Sequence, residues 1–187
     1  MKKQITEEQL DAMISERVVA FAEKGNPRLW HQMAMEWNWD SDSPFLHWLI
    51  DNPATDKGTV LMIYWRFGPR YWCQYTNKED ALGHTSLVKG YETVNYIEAK
   101  YLSGFYPNAC FAFDPNVEDE SGTIWAKEYL DIPAVRELPA EMYRKIEGEQ
   151  VEEPMGFEEG MPPELTAQLD ELLELYDTDG DDEEADD

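Results

Sequence analysis

The sequence predicts a mainly α protein: a compact helical bundle with a small β or extended addition in its C-terminal half and a disordered acidic tail. Three observations lead there. Apolar residues recur at helical spacing behind clear N-caps through the N-terminal half. Gly, Pro and Asx clusters interrupt those stretches at short intervals. Every Lys and Arg lies at or before Lys145, whereas residues 147–187 hold 18 of the 40 acidic side chains. The spans that follow are a helical body (1–146), an acidic linker (147–163), an amphipathic helix (164–176) and a disordered acidic tail (177–187).

Thr6-Glu7-Glu8-Gln9 is a capping box, and Leu10, Met13, Ile14, Arg17, Val18 and Phe21 follow at helical spacing. Gly25-Asn26-Pro27 ends this first helix and Pro27 opens the second, which runs to about Trp37 with Leu29, Trp30, Met33, Ala34 and Trp37 on its buried face. Asp40 to Pro44 breaks that helix and caps a short third one through Ile50. Asp56 caps a fourth, in which Thr59, Leu61, Met62, Tyr64 and Trp65 are apolar nearly all round, the mark of a central helix. Gly68-Pro69 closes it. Tyr71 to Tyr75 reads as a brief strand or a packed loop, and Asn77 to Asp80 as a turn. A longer helix is predicted from Thr85 to Ser103, with Gly104 as its C-terminal cap.

Beyond that helix the signals are local. Phe111-Ala112-Phe113 alternates like a strand, and Ile124 to Leu130 reads as extended. Pro139-Ala140-Glu141 starts a short helix carrying Met142, Tyr143 and Ile146. Gly and Pro spaced among acids give 147–163 the character of a linker. Leu165, Leu169, Leu172, Leu173 and Tyr176 then form an amphipathic helix. The last eleven residues have no apolar content except Ala185.

Five of the seven tryptophans fall between Trp30 and Trp65. An indole buries a large rigid surface and needs a partner for its N–H, so this stretch is either core or contact surface. The helical stripes assign Trp30, Trp37, Trp48 and Trp65 to the core. Trp39 and Trp72 have two readings, as exposed anchors for a partner or as structure. Asn38 and Asp40 read as helix-ending caps, and Arg66 as paired to an acid.

The net charge is −25, of which residues 1–146 contribute only −7, from 22 acids against 15 bases. Such a chain has no basic stripe for DNA or RNA and no run long and apolar enough for a membrane span. Cys73 and Cys110 are too few for a disulfide framework, and no signal-peptide pattern occurs, so a cytoplasmic location is expected. His31, His47 and His84 are isolated, and no zincin, nucleophile-elbow or nucleotide-binding motif is present. His47 and Asp51, one helical turn apart, read as a surface pair. In Asp177-Thr178-Asp179-Gly180 the glycine comes too early for a calcium loop. No metal, no cofactor and no enzymatic activity are expected.

The runs Trp30…Ala34…Trp37-Asn38-Trp39-Asp40, Asp56-Lys57-Gly58-Thr59-Val60-Leu61…Tyr64-Trp65 and Tyr101-Leu102-Ser103-Gly104-Phe105-Tyr106…Phe113-Asp114-Pro115 resemble an uncharacterised bacterial family filed as a domain of unknown function. The resemblance spans about residues 29–115. It implies a small bacterial protein, with some members encoded near toxin systems, and brings no agreed activity.

The charge distribution then points to a basic protein partner. Glu164, Asp170, Glu171 and Glu174 on the amphipathic helix, together with the tail, provide electrostatic docking, and the Leu stripe of that helix offers itself to the partner. With Trp39 and Trp72, these acids are the expected partner-binding residues. The expected function is an acidic inhibitor, an immunity protein neutralising a basic toxin such as a nuclease. The alternatives are a nucleic-acid mimic blocking a DNA-binding enzyme and a ligand-binding or enzymatic protein with a Trp-lined pocket.

Overall fold

A computed structural model of the chain describes residues 2–39, 43–86 and 88–178. Its elements in chain order are β1 (Lys3–Ile5), α1 (Glu7–Ala22), α2 (Pro27–Met35), α3 (Pro44–Asp51), α4 (Lys57–Arg66), α5 (Pro69–Trp72), α6 (Lys78–His84), α7 (Val88–Leu102), 3₁₀ turns at Trp125–Lys127 and Ala140–Tyr143, α8 (Pro163–Leu175) and β2 (Tyr176–Thr178). The fold is mainly helical. The chain divides into two compact units, Met1–Trp48 with Glu153–Asp187, and Leu49–Glu152.

The first unit is built from both ends of the chain. Thr6 and Gln9 complete the capping box of α1, each side chain bonding the other's backbone N–H. Asn26 caps α2 through Arg28 and Leu29. The Trp30 indole donates to the Ala22 carbonyl at 2.7 Å, which fixes the end of α1 against α2. Edge-on packing of Trp30 against Trp48 and the close Trp37–Phe45 pair extend the aromatic core. Packed against α1 is α8, whose Leu165, Leu169 and Leu172 are buried, as are Val18 and Ala22 of α1. β1 and β2 pair in parallel, Gln4 opposite Asp177.

The second unit is organised around α4, in which every residue from Gly58 to Trp65 is buried, as its all-round apolar sequence predicts. Asp56 caps α4 through Gly58 and also accepts from the backbone N–H groups of Cys110 and Phe111. The chain at Phe111 approaches so closely that a Cβ on Gly58 would lie 2.2 Å from the Phe111 carbonyl oxygen. The Trp65 indole donates to the Met142 carbonyl, and the Tyr64 hydroxyl to Glu98 on α7. α4, α5 and α6 all pack on α7.

Several local expectations are corrected. The aromatic run at Tyr71 begins inside a single helical turn, α5, which starts at Pro69 after left-handed Gly68. Asn77 does not make a free turn; its side chain caps α6 by accepting from Asp80. α7 begins at Val88, and Leu87, expected on its apolar face, lies outside the described residues. Phe111 and Phe113 make only isolated bridges, to Glu149 and Ile146. Ile124 to Leu130 folds into a 3₁₀ turn followed by Tyr129 at φ 57°, so it is not extended.

Residues 147–163 are no free tether: Glu149 exchanges backbone bonds with Cys110 and Ala112, and Val151 is buried. The sheet among the described residues joins residues 3–5 to 176–178, so the β addition is not confined to the C-terminal half. It also takes up the first two residues of the span expected to be disordered. Residues 179–187 lie outside the described residues.

Candidate functional site

One face of α1 carries Asp11, Ile14, Ser15 and Val18, residues whose spacing of three and four places them on a single stripe. With Trp37 and Asn38 beyond α2, Ser43 to Phe45 at the start of α3, and Glu159 and Met161, they line a groove of about 310 Å³ within the first unit. The floor is aromatic: the Trp37 and Phe45 ring centroids lie 4.6 Å apart. The Trp37 indole N–H is buried and meets no acceptor among the described residues. Ser43 is committed locally, accepting from the Leu46 backbone N–H.

Glu159 reaches the rim through a tight hairpin. Glu158 and Met161 exchange both backbone bonds, while Glu159 and Gly160 occupy the left-handed region at φ 48° and 83°. Two central residues with positive φ make this a type I′ turn. Gly160 is buried against α2's end: an added Cβ would sit 2.6 Å from the Met33 carbonyl oxygen and 2.7 Å from the Trp37 ring. The turn therefore locks onto Trp37 and holds the Glu159 carboxylate over the groove. Asp11 faces it from α1, and no Lys or Arg lines the groove among the described residues. An apolar floor with two carboxylates at its edge suits a partner segment that carries a cation on an apolar stem.

The unit that contains this groove is also the more acidic one by sequence. By sequence it holds 23 acids against 5 bases, whereas the second unit holds 17 against 10. Glu164, Asp170, Glu171 and Glu174, the acids expected to meet a partner, are all exposed on α8. Their setting differs from expectation in one respect. The Leu stripe is not available for docking, because Leu165, Leu169 and Leu172 are buried at 0%, 6% and 5% exposure. That packing instead fixes the helix and gives its acids a rigid frame.

Trp39 is half-buried next to exposed Asn38, and Asp40 lies outside the described residues. Trp72 is corrected as an exposed anchor. It is 6% exposed, its indole donates to the Phe67 carbonyl, and its ring lies so close to Gly90 that a Cβ there would come within 2.4 Å. Of the residues assigned to the core, Trp30 and Trp65 are buried, whereas Trp37 and Trp48 are only partly so. His31 is buried and His47 exposed. Asp51 is bonded by Lys100 at 2.6 Å and by the Tyr96 hydroxyl at 2.7 Å, which makes it a tie between α3 and α7. Arg66 stacks over the Trp125 ring, whose indole donates to Asp119. No group of three His, Cys, Asp or Glu able to hold a metal occurs among the described residues.

Asp11, Phe45 and Glu159 were not singled out by the sequence. The α1 stripe was legible around Ile14 and Val18, and Glu159-Gly160 is a turn pair. Nothing local says that these segments meet.

No helix among the described residues is long and apolar enough to cross a membrane. No curated protein and no solved structure matches the chain. Residues 25–102, which run from just after α1 through α7, match the model of an uncharacterised family described as a domain of unknown function, DUF4274.

Proposed function

We propose that this protein is an acidic protein-binding inhibitor, an immunity protein of the bacterial cytoplasm that neutralises a basic toxin such as a nuclease. The observation that carries the reading is the groove of Trp37 and Phe45 with Asp11 and Glu159 at its rim, set in the unit that holds most of the excess negative charge. A basic side chain of the partner lays its aliphatic stem on the aromatic floor and its charge between the two carboxylates. Glu164, Asp170, Glu171 and Glu174 act at longer range, steering a basic protein and raising its association rate ~10- to 1000-fold at low salt. No catalytic step is assigned.

The packing of α8 decides how this is tested. Deleting residues 147–187 would strip Leu165, Leu169 and Leu172 from the core and confound binding with unfolding. The four exposed acids are therefore replaced by Gln in the full chain, and both proteins are used to capture partners from a native host lysate for mass spectrometry. One basic protein is expected, with association slowed by salt and slower still for the Gln variant. Equal association rates and equal salt dependence for the two proteins would sink the steering mechanism. Competition with DNA for several unrelated DNA-binding proteins would replace this reading with a nucleic-acid mimic.

A further inference from the structure

The second unit contains a feature at odds with the acidity of the chain: two guanidinium groups, Arg70 on α5 and Arg136, line one cavity of about 540 Å³. The two are in different states. Arg136 pairs end-on with Glu98, its two terminal nitrogens 3.2 and 3.1 Å from the two carboxylate oxygens. Glu98, buried at 8% exposure, also accepts from the Tyr64 hydroxyl. The Arg136 charge is thus met inside the fold. Arg70 donates only to the Tyr143 hydroxyl, at 2.9 Å, and has no carboxylate partner among the described residues. A half-buried cation left without a counter-charge, in a chain with 40 acids to choose from, is unusual, because such groups pair when they leave water.

The rest of the lining restricts what can satisfy it. Leu138 and Val135 give the cavity an apolar side, and Val135 is pinned by its backbone bond to the Cys73 carbonyl. The Cys73 thiol donates to the Pro69 carbonyl, and burial raises its pKa, so it forms a neutral wall. Glu137 also borders the cavity and disfavours a multiply charged anion there. The volume lies within the ~300–1000 Å³ typical of small-molecule sites.

We propose that this cavity binds a small monocarboxylate with an apolar body, its carboxylate on the Arg70 guanidinium and its body against Val135 and Leu138. A planar carboxylate matches the guanidinium fork, and one negative charge suits a site that has one unmet cation and a carboxylate in its lining. The inference is independent of the inhibitor reading, which concerns the first unit.

The test titrates the full-length ¹⁵N-labelled protein with benzoate, with benzamide as the uncharged analogue, and with inorganic phosphate. Benzoate is expected to shift the amides of Cys73, Val135 and Leu138 saturably, with benzamide and phosphate weaker by at least roughly tenfold. Arg70→Leu should weaken benzoate by roughly tenfold to a hundredfold. Arg70→Lys, which keeps the charge but not the fork, should weaken it less and serves on its own if the leucine variant does not fold. Equal response to benzamide, tighter binding of phosphate, or unchanged affinity in Arg70→Lys would each overturn the proposal.

Discussion

Glu159→Asn and Gly160→Ala, at adjacent positions of one turn, are expected to change stability in opposite directions. Glu159 sits at φ 48°, where a side chain other than Asn or Gly costs about 1 kcal/mol. Asn is favoured at this position of a type I′ turn, so Glu159→Asn should stabilise by about 0.5–1 kcal/mol. Gly160→Ala meets the same left-handed penalty at φ 83° and then a collision. Its new methyl would lie 2.6 Å from the Met33 carbonyl oxygen and 2.7 Å from the Trp37 ring. One neighbour is backbone and the other is packed on Phe45, so neither yields cheaply, and about 1–3 kcal/mol of overpacking adds to the turn penalty. The total is a loss of about 2–4 kcal/mol. At about 2–4 °C per kcal/mol for a chain of this size, thermal unfolding followed by far-UV circular dichroism should show Tm up by about 1–4 °C for Glu159→Asn. For Gly160→Ala it should fall by roughly 5–15 °C. Shifts of the same sign in both variants, or a Gly160→Ala protein as stable as the parent, would refute the steric account. Glu159→Asn should also bind a basic partner more weakly, since the strained turn is what places that carboxylate on the rim.

Arg136→Leu leaves the Glu98 carboxylate buried without its ion pair. Because the Arg136 side chain is 26% exposed, the loss should fall below that of a fully buried pair, at about 2–4 kcal/mol in urea unfolding. Adding Glu98→Gln should recover part of it, and a double variant no better than the single would remove the charge argument. Leu169→Ala on α8 should cost about 2–4 kcal/mol, whereas Glu171→Gln one turn-face away should stay within about 0.5 kcal/mol. Similar losses for both would mean that the helix is held by its acids and not by its leucines.

Alkaline pH supplies a further test. Burial raises the Tyr64, Tyr101 and Tyr106 hydroxyls, that of Tyr101 to about 12. Because these folded-state values lie above the unfolded one, the stability they contribute is complete below about pH 10 and declines as pH rises through 12 and beyond. Denaturant midpoints should fall over that window as tyrosinate absorbance grows, and a flat profile would contradict the burial of these hydroxyls.

Short-range chemistry was the readable part of this sequence. The Thr6–Gln9 box, the Asp56 cap, the opening Pro27 of α2 and the central character of α4 depend on neighbours within a turn or two, and all are present. Tyr71 to Tyr75 misled because five residues cannot distinguish a strand from a helical turn when aromatics point both ways. Asn77 looked like a turn because a turn and an N-cap use the same side-chain acceptor. The Leu stripe of α8 was legible as a stripe, but periodicity does not say whether the apolar face meets α1 or a partner. The Arg70–Arg136 cavity and the Asp11–Glu159 rim join residues 66 and 148 positions apart, and no local pattern encodes such a meeting.

Parallel pairing of β1 with β2, and packing of α1 with α8, set an order of events during synthesis. The stretch Leu49–Glu152 is contiguous and can fold as it is made. α1 instead waits for α8 to be made, which at ~5–20 residues per second is an interval of roughly 10–30 s. Through that interval α1 holds an apolar face without its partner helix, and Glu159 has not yet been placed at the groove. A nascent chain therefore has no finished acid-rimmed groove. The surface proposed to capture a basic protein comes into being only when the last helix docks on the first.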